Sequence, residues 1–267
     1  MILPILAMSA ALAAEIPDSV NVQKDIIYAT YGSKQLRLDL YRPKNKSAQS
    51  IPGIVVIRGG GWRSGDKNGF GAIAAGLAER GFAAASIEYR VLPEFTLNDC
   101  VNDVKAAVRW MRAEAKTYHI KPDAIGAIGG SAGGHLAALL GTSAKAADLE
   151  GPGGHAKTSS RVQAVVAMAG VFDFTAMPGR SNEFPVKLAP LTHLGKDAPP
   201  FLLIHSDADK TVPIAQSELM RDRCRSQGTP AELITINGAP HAFWNMPTWH
   251  KDTIERAAAF FHKVLGN

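Results

Sequence analysis

Gly129-Gly130-Ser131-Ala132-Gly133 sets one serine among glycines, after an apolar run and ahead of a stretch with helical periodicity. Flanking glycines let a chain turn sharply from strand to helix without side-chain collision, and the turn lifts the hydroxyl above the sheet. The N-terminus of the following helix favours negative charge beside the serine oxygen. A serine hydroxyl is a poor nucleophile until a base takes its proton. The spacing therefore predicts a histidine, oriented by a carboxylate, elsewhere in the chain. On this kind of turn the carboxylate follows the serine in sequence and the histidine comes last.

Two aspartates compete for the carboxylate in His205-Ser206-Asp207-Ala208-Asp209-Lys210-Thr211-Val212-Pro213. Asp209 lies just before the proline that opens the next helix, where a carboxylate can face the crevice, and it is preferred. Asp207 reads instead as a turn-stabilising residue. Of eight histidines, only His241 and His250 fall between the last strand signal and the last helix signal. His241, in the small-residue turn Gly238-Ala239-Pro240-His241, is preferred over His250, which adjoins the final helix. His135, one turn past the serine, reads as a helix residue contacting neighbouring loops. The oxyanion of a tetrahedral intermediate needs donors, and the N–H groups of Gly60, Gly61 and Ala132 suit that task. The pocket is expected to draw on Trp62, Phe172, Phe243 and Trp244.

The elements that must position these residues alternate. Strand signals cover Asp25–Tyr31, Gln35–Tyr41, Gly53–Ile57, Ala83–Tyr89, Ala124–Ile128, Val162–Met168, Phe201–Ile204 and Ala231–Ile236. Helix signals cover Phe70–Arg80, Leu97–Thr117, Ala132–Ser143, Pro213–Gln227 and Lys251–Val264. The first two strands read as a hairpin, and the rest alternate with helices, which predicts an eight-stranded, mostly parallel sheet flanked by helices. The irregular segment Asp173–Pro200 is the candidate for a small cap over the crevice.

At 267 residues, 46% hydrophobic and 20% charged, the chain has the material for a large core, and intrinsic disorder is excluded for most of it. The net charge of +5 is dispersed, and Arg221, Arg223 and Arg225 alternate with Asp222 and Cys224 as a solvated helix face does, not as a nucleic-acid patch. Residues 1–14 carry no charged side chain and end in Ala11-Leu12-Ala13-Ala14, which reads as a secretory signal peptide despite the missing basic start. Residues 15–267 read as a single domain, and a periplasmic or secreted location follows. No later run reaches the length of a membrane span. Cys100 and Cys224 lack zinc or redox spacing and are expected on helices too far apart to pair.

Together these residues resemble an α/β-hydrolase esterase of the acetyl esterase and hormone-sensitive-lipase kind, nearest the branch holding feruloyl and acetylxylan esterases. The resemblance runs from about Asp25 to the C-terminus. It rests on Gly59-Gly60-Gly61-Trp62, Tyr89-Arg90 with Pro93-Glu94, Ala106-Ala107-Val108-Arg109-Trp110, Gly129–Gly134 with His135, and Asp197-Ala198-Pro199-Pro200, together with the loops bearing Asp209 and His241. It implies an α/β-hydrolase fold with a minimal cap, and a triad of Ser131, Asp209 and His241. It further implies hydrolysis of short-chain acyl esters, small or carbohydrate-borne, through an acyl-enzyme. No cofactor, metal or nucleic acid is expected to take part. Relatives of this kind usually carry histidine where Arg58 stands, and Arg58 is expected to brace the glycine loop in its place. A serine peptidase of the prolyl-oligopeptidase type and a catalytically silent hydrolase-fold binding protein are the alternatives.

Overall fold

The computed structural model describes residues 16–46, 48–177 and 184–266. The leader read over residues 1–14 lies outside these, as do residues 178–183 of the cap segment.

Eight strands form one sheet in the order β1-β2-β4-β3-β5-β6-β7-β8. They are β1 (Val20–Tyr31), β2 (Lys34–Pro43), β3 (Ile51–Ile57), β4 (Ala83–Ile87), β5 (Ile120–Gly130), β6 (Ala164–Met168), β7 (Phe201–Ser206) and β8 (Ala231–Ile236). β1 pairs antiparallel with β2, and β2 with β4; the remaining pairs are parallel. Strands buried on both faces need apolar side chains on both, and β3 shows it. Val55 and Ile57 enter one core layer and Ile54 and Val56 the other. The first layer is closed by α2 (Leu97–Ala113), α3 (Ala132–Thr142) and α5 (Ala215–Ser226), through Val104, Leu136 and Met220. The second is closed by α1 (Gly71–Glu79) and α6 (Pro247–Leu265), through Leu77, Ile254 and Phe261. A four-residue helix, α4 (Pro190–His193), lies in the cap segment.

Several boundaries differ from expectation. β1 begins five residues early, at Val20, because a register shift between Gln23 and Ile26 breaks the alternation that the pattern relies on. β4 stops at Ile87, not Tyr89; Glu88 bonds back to Arg37 O, and Tyr89 turns towards the loop after β3. β5 begins at Ile120, which pairs with Ile51 ahead of a register shift between Pro52 and Gly53. α2 ends at Ala113, four residues short of Thr117, in a series of turns. α6 opens at Pro247, where a missing N–H costs nothing, so His250 lies inside the helix with its Nδ1 2.6 Å from Trp244 O. Cys100 and Cys224 are buried free thiols, and burial pushes each up to about 12.

Candidate active site

The parallel strands bring their C-terminal ends to one edge, and the loops leaving β3, β5, β7 and β8 meet there. At the β5–α3 turn Ser131 adopts φ 55° and ψ −121°, a conformation that side chains rarely tolerate. Glycines make it possible. A Cβ on Gly129 would lie 2.2 Å from Gly133 O, and one on Gly133 would lie 2.1 Å from Ile57 O. Ser131 N–H bonds to Met168 O at 2.8 Å, anchoring the turn to β6.

The loop after β8 carries His241, whose Nε2 lies 2.8 Å from Ser131 Oγ. Its Nδ1 lies 2.6 Å from Asp209 Oδ2, on the loop after β7. An ionised carboxylate only accepts, so the hydrogen sits on Nδ1 and the Nε2 lone pair faces the serine hydroxyl. Asp209 Oδ1 accepts from the N–H groups of Thr211 at 2.8 Å and Val212 at 3.0 Å. Burial alone would raise the Asp209 carboxyl. Hydrogen bonds from His205, His241 and Val212 outweigh it and hold the group well below the usual carboxylate range. Asp207 is exposed and accepts from Gly238 N at 2.7 Å. It ties the histidine loop to β7, as a turn residue should. Ser206 Oγ makes a second tie, to Ala239 O at 2.5 Å.

The loop after β3 forms the third wall. Gly60 has φ 114° and its carbonyl accepts from Arg63 N, Ser64 N and Ser64 Oγ. Among the described residues, the N–H groups of Gly60, Gly61 and Ala132 bond to no other group, and all three residues line the crevice beside Ser131. Arg58 is buried under this loop. Its Nη1 donates to Gly59 O at 3.1 Å and to Ser64 O, its Nη2 to Tyr89 O at 3.4 Å, and its Cζ stands 4.1 Å over the Tyr89 ring. Tyr89 OH donates in turn to Arg58 O at 3.1 Å.

The crevice is a cavity of about 720 Å³ whose lining includes Trp62, Phe70, Val171, Met177, Val212 and Trp244 beside Ser131 and His241. Trp62 and Trp244 stand where expected. Phe172 and Phe243 do not: both are fully buried in the two core layers and touch no part of the cavity. They follow the ends of β6 and β8, but their side chains are buried in the core. Met177 and Val171 take the places assigned to them. His135 is fully buried in α3, accepts from Trp62 Nε1 at 3.2 Å on Nδ1 and donates from Nε2 to Leu188 O at 2.8 Å. Burial lowers it to about 4, so it is neutral at pH 7. It joins the serine helix, the glycine loop and the cap segment. His205, which the sequence pattern placed in a loop, is inside β7 with Nε2 3.3 Å from Asp209 Oδ2. Its place directly after the apolar run Phe201–Ile204, in alternation with Phe201 and Leu203, was the signal for it. Among the described residues, no group of three His, Cys, Asp or Glu side chains is placed to hold a metal. No helix among them is long and apolar enough to cross a membrane.

A parallel sheet that presents a serine on this turn, with histidine and carboxylate on the two loops after β8 and β7, defines an α/β-hydrolase of the esterase kind. Within that class the chain belongs to the BD-FAE family, whose model matches residues 38–187. A model described as the prolyl oligopeptidase family matches residues 155–267. The chain is similar to the probable carboxylic ester hydrolase LipM of Mycobacterium tuberculosis, 32% identical over 242 residues covering 82% of this chain and 56% of LipM. It thus spans little more than half the length of that curated relative. The apo form of Thermogutta terrifontis esterase 2 superposes with a TM-score of 0.83 at 31% identity, covering 94% of this chain and 96% of that one; the same esterase is also known with propionate and with butyrate bound. A truncated carbohydrate esterase from gut microbiota gives a TM-score of 0.80 at 29% identity, over 91% and 95% of the two chains.

Proposed function

We propose that the protein is a serine carboxylesterase acting on short-chain acyl esters, including those carried on carbohydrate. The observation that carries this reading is the continuous path from Ser131 Oγ through His241 to Asp209, at 2.8 and 2.6 Å. Ser131 Oγ attacks the ester carbonyl while His241 Nε2 takes its proton, and Asp209, kept ionised, stabilises the imidazolium. The N–H groups of Gly60, Gly61 and Ala132 take the oxyanion. Collapse expels the alcohol, which receives the proton from His241. Water then attacks the acyl-enzyme with His241 again as base, releasing the acid and restoring Ser131. The short acyl preference is supported by the propionate- and butyrate-bound forms of the Thermogutta esterase, and the apolar lining of Val171, Met177, Val212 and Trp244 suits an acyl group.

Turnover of p-nitrophenyl acetate beside a peptide anilide tests the reading against a peptidase, towards which the match over residues 155–267 leans. Ester hydrolysis is expected to dominate. Ser131→Ala is expected to lose ~10⁴–10⁶ of kcat with an unchanged melting curve. Residual activity near wild type in that variant ends the proposal. Across p-nitrophenyl esters, activity is expected to peak at about two to four acyl carbons and to fall by about eight, since a methylene left in water adds none of its ~0.8 kcal/mol.

A further inference from the structure

β7 alternates like any buried strand: Phe201 and Leu203 enter the layer beneath α5, and Leu202 and Ile204 the opposite one. His205 continues the first series, and its side chain is wholly buried between the sheet and α5. Its Nε2 has two neighbours that can only accept, Asp209 Oδ2 at 3.3 Å and Val212 O at 3.0 Å, so this nitrogen carries the hydrogen. Its Nδ1 lies 2.7 Å from Ser217 Oγ of α5, also wholly buried, which fixes the ring. Asp209 Oδ1 accepts from the N–H groups of Thr211 and Val212 and Oδ2 from His241, while the single His205 Nε2–H bonds to Val212 O at 3.0 Å and is shared with Oδ2 at the longer distance of 3.3 Å.

We infer that His205 is a positioning residue that, through Asp209, sets both the orientation and the basicity of His241. The inference rests on the serine-esterase reading of the site. A carboxylate shared between two imidazole donors offers less negative charge to either. Removing the His205 donor leaves Asp209 a stronger acceptor for His241, which makes His241 more basic. It also frees the carboxylate to rotate about the two backbone bonds that remain. Among the described residues, the titratable groups paired with Asp209 are His205 from β7 and His241 from the loop after β8, and the group that α5 sets against the far nitrogen of His205 is the uncharged Ser217.

Three variants test this: His205→Leu, which removes the donor; His205→Gln, whose amide can still donate to Asp209 and accept from Ser217; and Ser217→Ala. With p-nitrophenyl acetate from about pH 5 to about 9, His205→Leu is expected to lower kcat about tenfold with KM held within about twofold, and to move the acid limb of kcat/KM up by about half a unit. His205→Gln is expected to keep the wild-type limb and most of kcat. Ser217→Ala, which leaves the strand intact, is expected to show the His205→Leu pattern in weaker form, and it serves if His205→Leu does not fold. The His241 ring-proton NMR titration should move up by the same half unit, on the reasoning used for the kinetic limb, without need of turnover. A purely packing role would lower stability and leave the limb in place. An unmoved limb and NMR midpoint in His205→Leu and Ser217→Ala, or a glutamine variant no better than leucine, overturns the inference. A wild-type protein without ester hydrolysis instead counts against the esterase reading, and the NMR midpoints still judge His205.

Discussion

Arg58 offers the sharpest test of how the glycine loop is held. Its guanidinium joins Gly59, Ser64 and Tyr89 by their carbonyls and stacks on the Tyr89 ring at 4.1 Å, with only 4% of the residue exposed. A hydrogen bond from a charged donor contributes ~1.5–3 kcal/mol, with the 3.4 Å contact to Tyr89 O at the low end, and a desolvated cation–π contact ~2 kcal/mol. Against these stands the desolvation of the cation itself, several kcal/mol that Arg58→Ala recovers. The net destabilisation expected is therefore only about 2–3 kcal/mol. Catalysis should suffer differently. Loss of one oxyanion donor costs ~10²–10³ in kcat. The loop would keep the Tyr89 OH contact to Arg58 O and the Trp62 O bond to Leu92 N, so Gly60 and Gly61 should shift without leaving the site. Arg58→Ala is thus expected to lower kcat ~10–100-fold, worth ~1.4–2.7 kcal/mol of transition-state stabilisation, with KM changed less than about threefold. Initial rates on p-nitrophenyl acetate over a substrate range, beside a denaturant melt, measure both quantities. Arg58 also lines the cavity, so the competing outcome is concrete. A change confined to KM would show that it binds substrate and that the loop stands without it.

The remaining expectations concern buried groups. His135 titrates at about 4 when folded, against ~6.5 unfolded, so the unfolded chain binds the proton first. Its contribution to stability is complete above about pH 6.5 and is lost as the pH falls towards about 4, by ~3 kcal/mol in all. His135→Gln, which can accept from Trp62 and donate to Leu188 at any pH, should flatten that part of the stability profile; parallel profiles for variant and wild type in guanidinium melts would contradict it. Cys100 and Cys224, both buried and held up to about 12, should resist a thiol reagent in the native protein and give two thiols on unfolding without reductant. Finding none after unfolding would mean a disulfide that the fold does not allow.

What could be read without coordinates followed from constraints that act locally. Gly129 and Gly133 are required because a Cβ at either would overlap a backbone oxygen, at 2.2 and 2.1 Å, so the serine turn announces itself in five residues. The order of carboxylate and histidine follows from sheet topology, which the alternation of strands and helices already implies. Direction was harder. Phe172 and Phe243 follow strand ends near the crevice, yet each ring faces a core layer, because a loop has no two-residue period from which to read the facing of a side chain. Met177 was invisible for the same reason. β1 misled through its bulge, which shifts the buried face by one residue at Gln23–Ile26. His205 shows the converse. Its place in the β7 alternation fixes which face it takes, but its meaning depends on Asp209 and on Ser217 from the next helix, and only the packed fold brings the three together. A polar side chain inside a fully buried strand must find a partner or destabilise the sheet. On the reading proposed above, the partner of His205 is also the carboxylate that orients the base, so one buried histidine would serve both the packing of the sheet and the poise of the site, and the pH limb tells the two roles apart.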